Sequence, residues 1–289
     1  MKYEQELIAL IKEKPELASL DDSYVQDVLK TNFASVSNSV FDKYTSFDQC
    51  KRGKKCKELV TNVRKYLRIV YGLFVIQPLE DFQKTINSLK SYESDATDKM
   101  LLAHQSTTER FASYNQLYVD LFEKLHEKGL SKEFTLADFA CGCNPFAYKY
   151  LPTKPKHYTA VDLSSKDMEI VQTFFDNTNI SGEAKSFDVS STNFESWIEK
   201  KHFDVIFLFK ALDSFEAVKR HTSKKILSKL DADFLVVSFP LVSIGGKQSI
   251  AASKRWWFEN FCTQNSWEFE VFSAGNEQFF IVSMHKGKK

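Results

Sequence analysis

Up to about Ser106 the apolar residues recur at three- and four-residue spacings, as in "YEQELIALIKEK", "SYVQDVLKTNF", "CKELVTNVRKYLRIVYGLFV" and "LEDFQKTINSLKSY". That period gathers them on one face of a helix. Asp21-Asp22-Ser23 and Ser94-Asp95 suit helix N-caps, where a short side-chain oxygen accepts from an otherwise unpaired backbone N–H. Pro15 and Pro78 open or interrupt helices. A further helix, "STTERFASYNQLYVDLFEKLHEKG", starts at a Ser/Thr cap and stops at Gly129. The pattern predicts an all-helical N-terminal domain over residues 1–103, with no internal repeat and no low-complexity linker.

Beyond Gly129 short apolar runs alternate with helical stretches. Strands are predicted at 135–140, 157–162, 183–188, 203–209, 233–239, 267–272 and 278–284, and helices at 145–151, 165–177, 192–200, 214–230 and 250–264. Elements alternating at these lengths imply right-handed crossovers and a mostly parallel sheet covered on both faces. Only a short turn at Gly275-Asn276 separates the last two strands, so one of them is antiparallel. Residues 104–289 therefore read as an α/β, Rossmann-like domain with a seven-stranded sheet and a C-terminal hairpin.

At 289 residues the chain can bury a sizeable core. The longest apolar runs, "VIFLF" and "FLVVSF", are strand-length, too short to span a bilayer. The first residues are charged throughout and lack a signal peptide's apolar stretch, so a cytoplasmic location is expected. Five cysteines at irregular spacing, without a secretory signal, argue against a disulfide framework. Cys141-x-Cys143 has no second pair and no nearby His at zinc spacing, so no metal is expected. The net charge of +1 advertises no nucleic-acid partner, but its distribution is uneven. Lys51, Arg52, Lys54, Lys55, Lys57, Arg64, Lys65 and Arg68 crowd one stretch opposed only by Glu58, which is either a solvated helix face or a phosphate-contacting patch.

The stretch "LADFACGCNPFA", Leu136 to Ala147, occupies the first strand-to-helix turn, the place nearest the ligand in such a sheet. Gly142 lets a ligand come close to the backbone, and small Ala140 and Cys141 keep the turn tight. The dinucleotide pattern G-x-G-x-x-G is absent. Asp162, 20 residues after Gly142, ends the second predicted strand, where a carboxylate accepts from ribose hydroxyls. Asp188 ends the third and can receive an adenine amino group. With no pyrophosphate cradle and no Walker loop, S-adenosylmethionine suits the pattern better than a dinucleotide. Its carboxylate needs a cation, and Arg110 is a candidate for a bidentate grip.

Five segments then occur in one order: His104-Gln-Ser-Thr-Thr-Glu-Arg110, Asp138-Phe-Ala-Cys-Gly-Cys-Asn-Pro145, Phe209-Lys210-Ala-Leu212, Val237-Ser-Phe-Pro240 with Ser243-Ile-Gly-Gly-Lys247, and Gly275-Asn-Glu277 leading into Phe279. Together they resemble the aminoglycoside-resistance methyltransferases that modify small-subunit ribosomal RNA at guanine N7. The resemblance implies a class I methyltransferase fold, S-adenosylmethionine as donor, a decoding-site guanine as target, and N-terminal helices that help dock on the small ribosomal subunit. By position it implies that Arg110 holds the methionine carboxylate, Gly142 lines the methionine, Asp162 binds the ribose and Asp188 sits near the adenine. His104, Thr107, Asp138, Ala140, Asn144, Leu163 and Val189 complete the cofactor set it implies, while Lys210, Ser238, Phe239 and Pro240 shape the pocket around the base. The chain departs from the family at Asp213 where Pro is usual, at Leu241-Val242 where Thr-Arg is usual, and at Lys247 where Arg is common.

Guanine N7 carries a free lone pair, so transfer from a sulfonium needs positioning and a dry pocket rather than a general base. No Asn-Pro-Pro-Tyr or Pro-Cys segment follows the fourth predicted strand, as exocyclic-amine or cytosine-C5 chemistry would require. In "SKRWWFENF", two of Trp256, Trp257 and Phe258 are expected to pack on the sheet, one could stack a base, and Lys247, Lys254 and Arg255 could meet phosphates. The expectation is a monomeric cytoplasmic rRNA (guanine-N7) methyltransferase. The alternatives are a class I methyltransferase with another RNA nucleotide or a small molecule as acceptor, and a catalytically silent ribosome-binding protein.

Overall fold

The structure is a computed structural model that describes residues 2–33, 41, 43–243 and 248–284. Seven strands form one sheet: β1 (Thr135–Phe139), β2 (His157–Asp162), β3 (Gly182–Ser186), β4 (Phe203–Phe209), β5 (Ala232–Pro240), β6 (Glu268–Ala274) and β7 (Glu277–Ser283). Their order is β3-β2-β1-β4-β5-β7-β6. The first five run parallel, and β7 inserts antiparallel between β5 and β6. β1 and β4 are buried almost end to end, as strands covered on both faces must be. Edge strand β6 alternates exposed and half-buried positions, and its Glu270 pairs with Lys124 and Lys128 across the sheet's rim.

The helices are α1 (Glu4–Lys12), α2 (Asp22–Asn32), α3 (Phe47–Arg52), α4 (Lys54–Leu67), α5 (Gln83–Ser88), α6 (Ala96–Leu101), α7 (Gln105–Arg110), α8 (Tyr114–Glu127), α9 (Ser165–Asn177), α10 (Thr192–Ile198), α11 (Leu212–Val218), α12 (Thr222–Leu227) and α13 (Trp256–Gln264). Two long predicted helices are divided. The 106–129 stretch breaks into α7, a 3-10 turn over Phe111–Ser113 and α8. The 214–230 stretch breaks at His221, whose φ of 67° is left-handed, and Glu216 accepts from the N–H groups of His221 and Ser223 to cap α12. β3 stops at Ser186, so Asp188 lies beyond the strand rather than ending it. It forms a turn by accepting from the N–H and hydroxyl of Ser190, and Ser191 then caps α10.

Buried apolar side chains form three clusters. Two lie on opposite faces of the sheet, and the third, from Leu7 to Tyr71, joins α1 to α4. Leu79, Ile86, Leu89, Met100 and Leu101 belong to a sheet cluster. α5 and α6 thus contribute to the sheet's core, and the helical cluster runs from Leu7 to Tyr71. The two parts meet at the start of α9. Asp21, expected to cap its own helix, instead accepts from the backbone N–H and the hydroxyl of Ser165. Ser164 donates to the carbonyl of Ser19, and Tyr71 donates to Asp167. Among the described residues no helix is long and apolar enough to cross a membrane.

Candidate functional site

At the carboxyl end of β1 the chain turns through Ala140 and Gly142, both with left-handed backbone (φ 53° and 51°). Asp162, at the tip of β2, fastens this turn. Its Oδ2 accepts from the N–H of Gly142 at 2.7 Å and its Oδ1 from that of Leu163 at 2.6 Å. Burial raises its carboxyl pKa, opposed by these two donors. Behind the turn, Asp138 accepts from Asn144 Nδ2 and from the Tyr158 hydroxyl, each at 2.7 Å, and Asn144 Oδ1 accepts from Tyr114 (3.1 Å) and Tyr118 (3.0 Å). Burial pushes Asp138 up to about 6. Asp138 and Asn144 are fully buried, so their side chains brace the turn from behind. Cys141 and Cys143 are buried too, and burial pushes both thiols up, which keeps them protonated and inert.

Gly142 serves a purpose the sequence does not reveal. A Cβ there would fall 2.7 Å from His104 Nε2, so the bare main chain makes room for the imidazole. That ring stacks on Phe74 (centroids 5.6 Å apart, 9° between planes) and meets Ser106 Oγ through Nδ1 at 3.1 Å. Burial, then the charges of Arg110 and Lys210, lower His104 to about 3, so it is neutral at pH 7. Thr107 is buried and donates back to the carbonyls of Leu101 and His104.

Beside the turn lies a buried ionic cluster. Lys210, just past β4, has a left-handed φ of 56°, and its N–H donates to both the carbonyl and the hydroxyl of Ser238 at 3.1 Å. Its Nζ pairs with Glu109 and, at 3.2 Å, with Glu277 Oε1. Glu277 Oε2 accepts from the Ser238 hydroxyl at 2.7 Å and faces Arg110 Nη1 at 3.5 Å. The guanidinium of Arg110 sits over Tyr114 and Phe209, its Nε without a partner among the described residues. Burial works against its charge, but Glu277 together with Tyr114 and Tyr118 outweighs that and raises its pKa. Glu109 and Glu277 stand in two of the segments quoted from the sequence but not among its candidate site residues, because nothing local marks an acid as the partner of a cation more than a hundred residues away. Ser238 and Phe239 are buried in the sheet, Phe239 against Trp257, Phe258 and Phe280, so of the four residues expected around the base only Lys210 reaches the open crevice.

That crevice, about 1540 Å³, runs along the strand tips. Ala140, Asp162, Leu163, Asp188, Val189 and Lys210 line it at the strand tips, and residues of α2, α11 and α12 with Tyr66 of α4 complete it. An adenosyl group fits its nucleoside end. Each Asp162 oxygen has spent one lone-pair direction on backbone and keeps another, and the Asp188 carboxylate stands across the gap. Beside the turn, a separate cavity of about 20 Å³ lies between His104, Gly142, Asp162 and Asp167, while the main crevice itself extends past Ala140 to His104, Ser106, Phe209 and Lys210. Arg110 is buried, with its charge already met by Glu277.

Asp167 borders the same small cavity. Its Oδ2 takes the Tyr71 hydroxyl and its Oδ1 has no hydrogen-bond partner among the described residues. Burial pushes it from 3.8 up to about 7. A carboxyl raised on folding contributes most below its unfolded value, and that contribution is lost as pH rises through 7. Asp167→Asn is therefore expected to raise the denaturation midpoint at pH 8, with the difference closing by pH 4. Equal midpoints at pH 8 would contradict the assignment.

The basic residues separate by environment. Lys51, Arg52, Lys54, Lys55, Lys57 and Lys65 are exposed on α3 and α4. Arg64 instead donates to the carbonyls of Leu10 and Ile11, and Arg68 pairs with Glu16. Lys254 is exposed, whereas Arg255 is 2% exposed and donates to the Pro240 carbonyl, which corrects its reading as a phosphate contact. Lys247 lies outside the described residues. Trp257 and Phe258 pack inward, and Trp256 is 67% exposed.

A 16S rRNA (guanine(1405)-N(7))-methyltransferase of Frankia casuarinae is 23% identical over 240 residues, covering 78% of this chain and 80% of its own length. One from Proteus mirabilis is 25% identical over 270 residues, covering 86% and 88%. The crystal structure of the 16S rRNA methyltransferase RmtF in complex with S-adenosyl-L-homocysteine superposes with a TM-score of 0.70 at 21% identity, covering 98% of each chain. The family described as ribosomal RNA methyltransferase (FmrO) matches residues 86–282. With that span taking in the whole sheet, the acid-fastened turn and the buried ionic cluster, the chain belongs to the FmrO family of ribosomal RNA methyltransferases.

Proposed function

We propose that this protein transfers a methyl group from S-adenosylmethionine to N7 of a guanine in the decoding region of small-subunit rRNA, and so confers aminoglycoside resistance. The observation that carries the reading is Asp162, held by the first turn at the tip of β2 on the wall of a crevice large enough for the cofactor. The relatives from Frankia casuarinae and Proteus mirabilis, named for guanine 1405 N7, supply the acceptor. When bound, the cofactor supplies an electrophilic methyl on a sulfonium. Asp162 and Asp188 hold its nucleoside, Arg110 and Lys210 set the field at its other end, and the buried cluster beneath excludes water. No side chain needs to take a proton, because N7 presents a lone pair directly. The site of action is the cytoplasm, where the ribosome is, and the protein acts as a monomer.

Purified 30S subunits incubated with the protein and labelled S-adenosylmethionine, followed by mass mapping of the rRNA, test this. Label on N7 of one decoding-site guanine supports it, and label on another nucleotide or none overturns it. Docking is assigned to the exposed lysines of α3 and α4. Reversing the charge of Lys54, Lys55 and Lys57 together is expected to weaken 30S binding at least tenfold at low salt and to flatten its salt dependence. Unchanged affinity in a filter-binding titration would make that face merely solvated.

A further inference from the structure

We propose that the N-terminal helices complete the cofactor crevice, with Tyr24 of α2 and Tyr66 of α4 taking the purine of the adenosyl group against Asp188, so that cofactor affinity depends on the helical part of the chain. This rests on the proposed cofactor. The strand tips offer part of the cleft, α11 and α12 another part, and the first 74 residues supply Tyr24, Phe33, Tyr66, Tyr71 and Phe74 among its lining side chains. A purine is flat, apolar on its faces and polar at its rim, and aromatic walls with a few fixed polar groups are what such a ring requires.

Tyr24 and Tyr66 stand out within that wall. Their phenols lie beside each other and within the field of the Asp188 carboxylate, and burial raises both, with Asp188 adding to the effect. Asp188 is itself fixed, with Oδ1 accepting from Ser190 N at 2.8 Å and Ser190 Oγ at 2.6 Å. Phe33 holds the Tyr66 ring edge-on, with centroids 6.3 Å apart and planes at 84°. The wall is also anchored where it matters. The contacts of Ser19 and Asp21 to Ser164 and Ser165 fall two and three residues after Asp162, so the same short segment carries the ribose acid and the seat of α2. Asp21, Asp27, Asp162 and Asp188 line the crevice together with Lys210, Lys219, Arg220 and Lys225, so its polar groups are of both signs.

The test is calorimetric titration of S-adenosylhomocysteine into the full-length protein. The paired change Tyr24→Ala with Tyr66→Ala is expected to weaken binding at least tenfold, while adenosine, which lacks the amino-acid tail, loses affinity by a similar factor. The pair Tyr24→Leu with Tyr66→Leu, which keeps apolar volume, is judged by the same threshold if the alanine pair does not show the wild-type circular dichroism. A folded double variant that binds within twofold of wild type overturns the inference and leaves the proposed function standing. Wild-type protein that fails to bind S-adenosylhomocysteine removes both.

Discussion

Glu277→Ala is expected to cost about 3–5 kcal/mol of folding stability, the range for breaking a buried charge network by deleting one partner. Glu277 is 1% exposed and is the acid shared by Arg110, Lys210 and the Ser238 hydroxyl. Its removal leaves Arg110, 2% exposed, without an ion-pair partner in the described structure, and leaves Lys210 with Glu109 alone. Glu277→Gln should fall in between, since the amide oxygen can still accept from Ser238 but cannot balance two cations. Urea denaturation with an unchanged slope would read this directly. A loss under about 1 kcal/mol would mean that water reaches the cluster and the charges do not depend on one another.

Asp162→Ala should weaken S-adenosylhomocysteine binding by about 1.5–3 kcal/mol, roughly ten- to more than a hundredfold, as for a lost charged hydrogen bond. The damage has two sources. The carboxylate that faces the crevice disappears, and the N–H groups of Gly142 and Leu163 lose their acceptor, which frees the turn the cofactor must lie against. Asp162→Asn separates them, because an amide satisfies one of the two backbone donors and opposes the other with its own N–H. Calorimetry with both variants gives the affinities. Undiminished binding by Asp162→Ala would displace the nucleoside from this strand tip.

The sheet was legible because its strands announce themselves locally. β2 and β4 follow the runs "HYTAVD" and "FDVIFLF" residue for residue, and α9 begins where the Ser164 hydroxyl can accept from Asp167 N–H. The turn was legible for the same reason, since an acid at a strand end 20 residues past a glycine is a spacing along the chain. What stayed hidden depends on residues far apart. Arg110 meets Glu277 across 167 positions, Asp21 leaves its own helix to bind Ser165 across 144, and no periodicity encodes either. The use of Gly142 was legible only in part: positive φ and close approach could be read, but not that His104 is the neighbour. Arg255 reads as a surface cation because it follows exposed Lys254, and only the fold shows it buried and donating to the Pro240 carbonyl.

The insertion of β7 between β5 and β6 sets the order in which this protein can be made. During synthesis β6 emerges first, yet it has no sheet neighbour until β7 follows and pairs with both sides. Until about Ser283 has left the exit tunnel, the nascent chain holds an open edge at β5 and carries Arg110 and Lys210 without the acid they share. A prematurely terminated product is thus expected to be not a slightly shortened enzyme but a half-closed sheet in which Arg110 has lost its acid and Lys210 keeps only Glu109, a substrate for proteolysis.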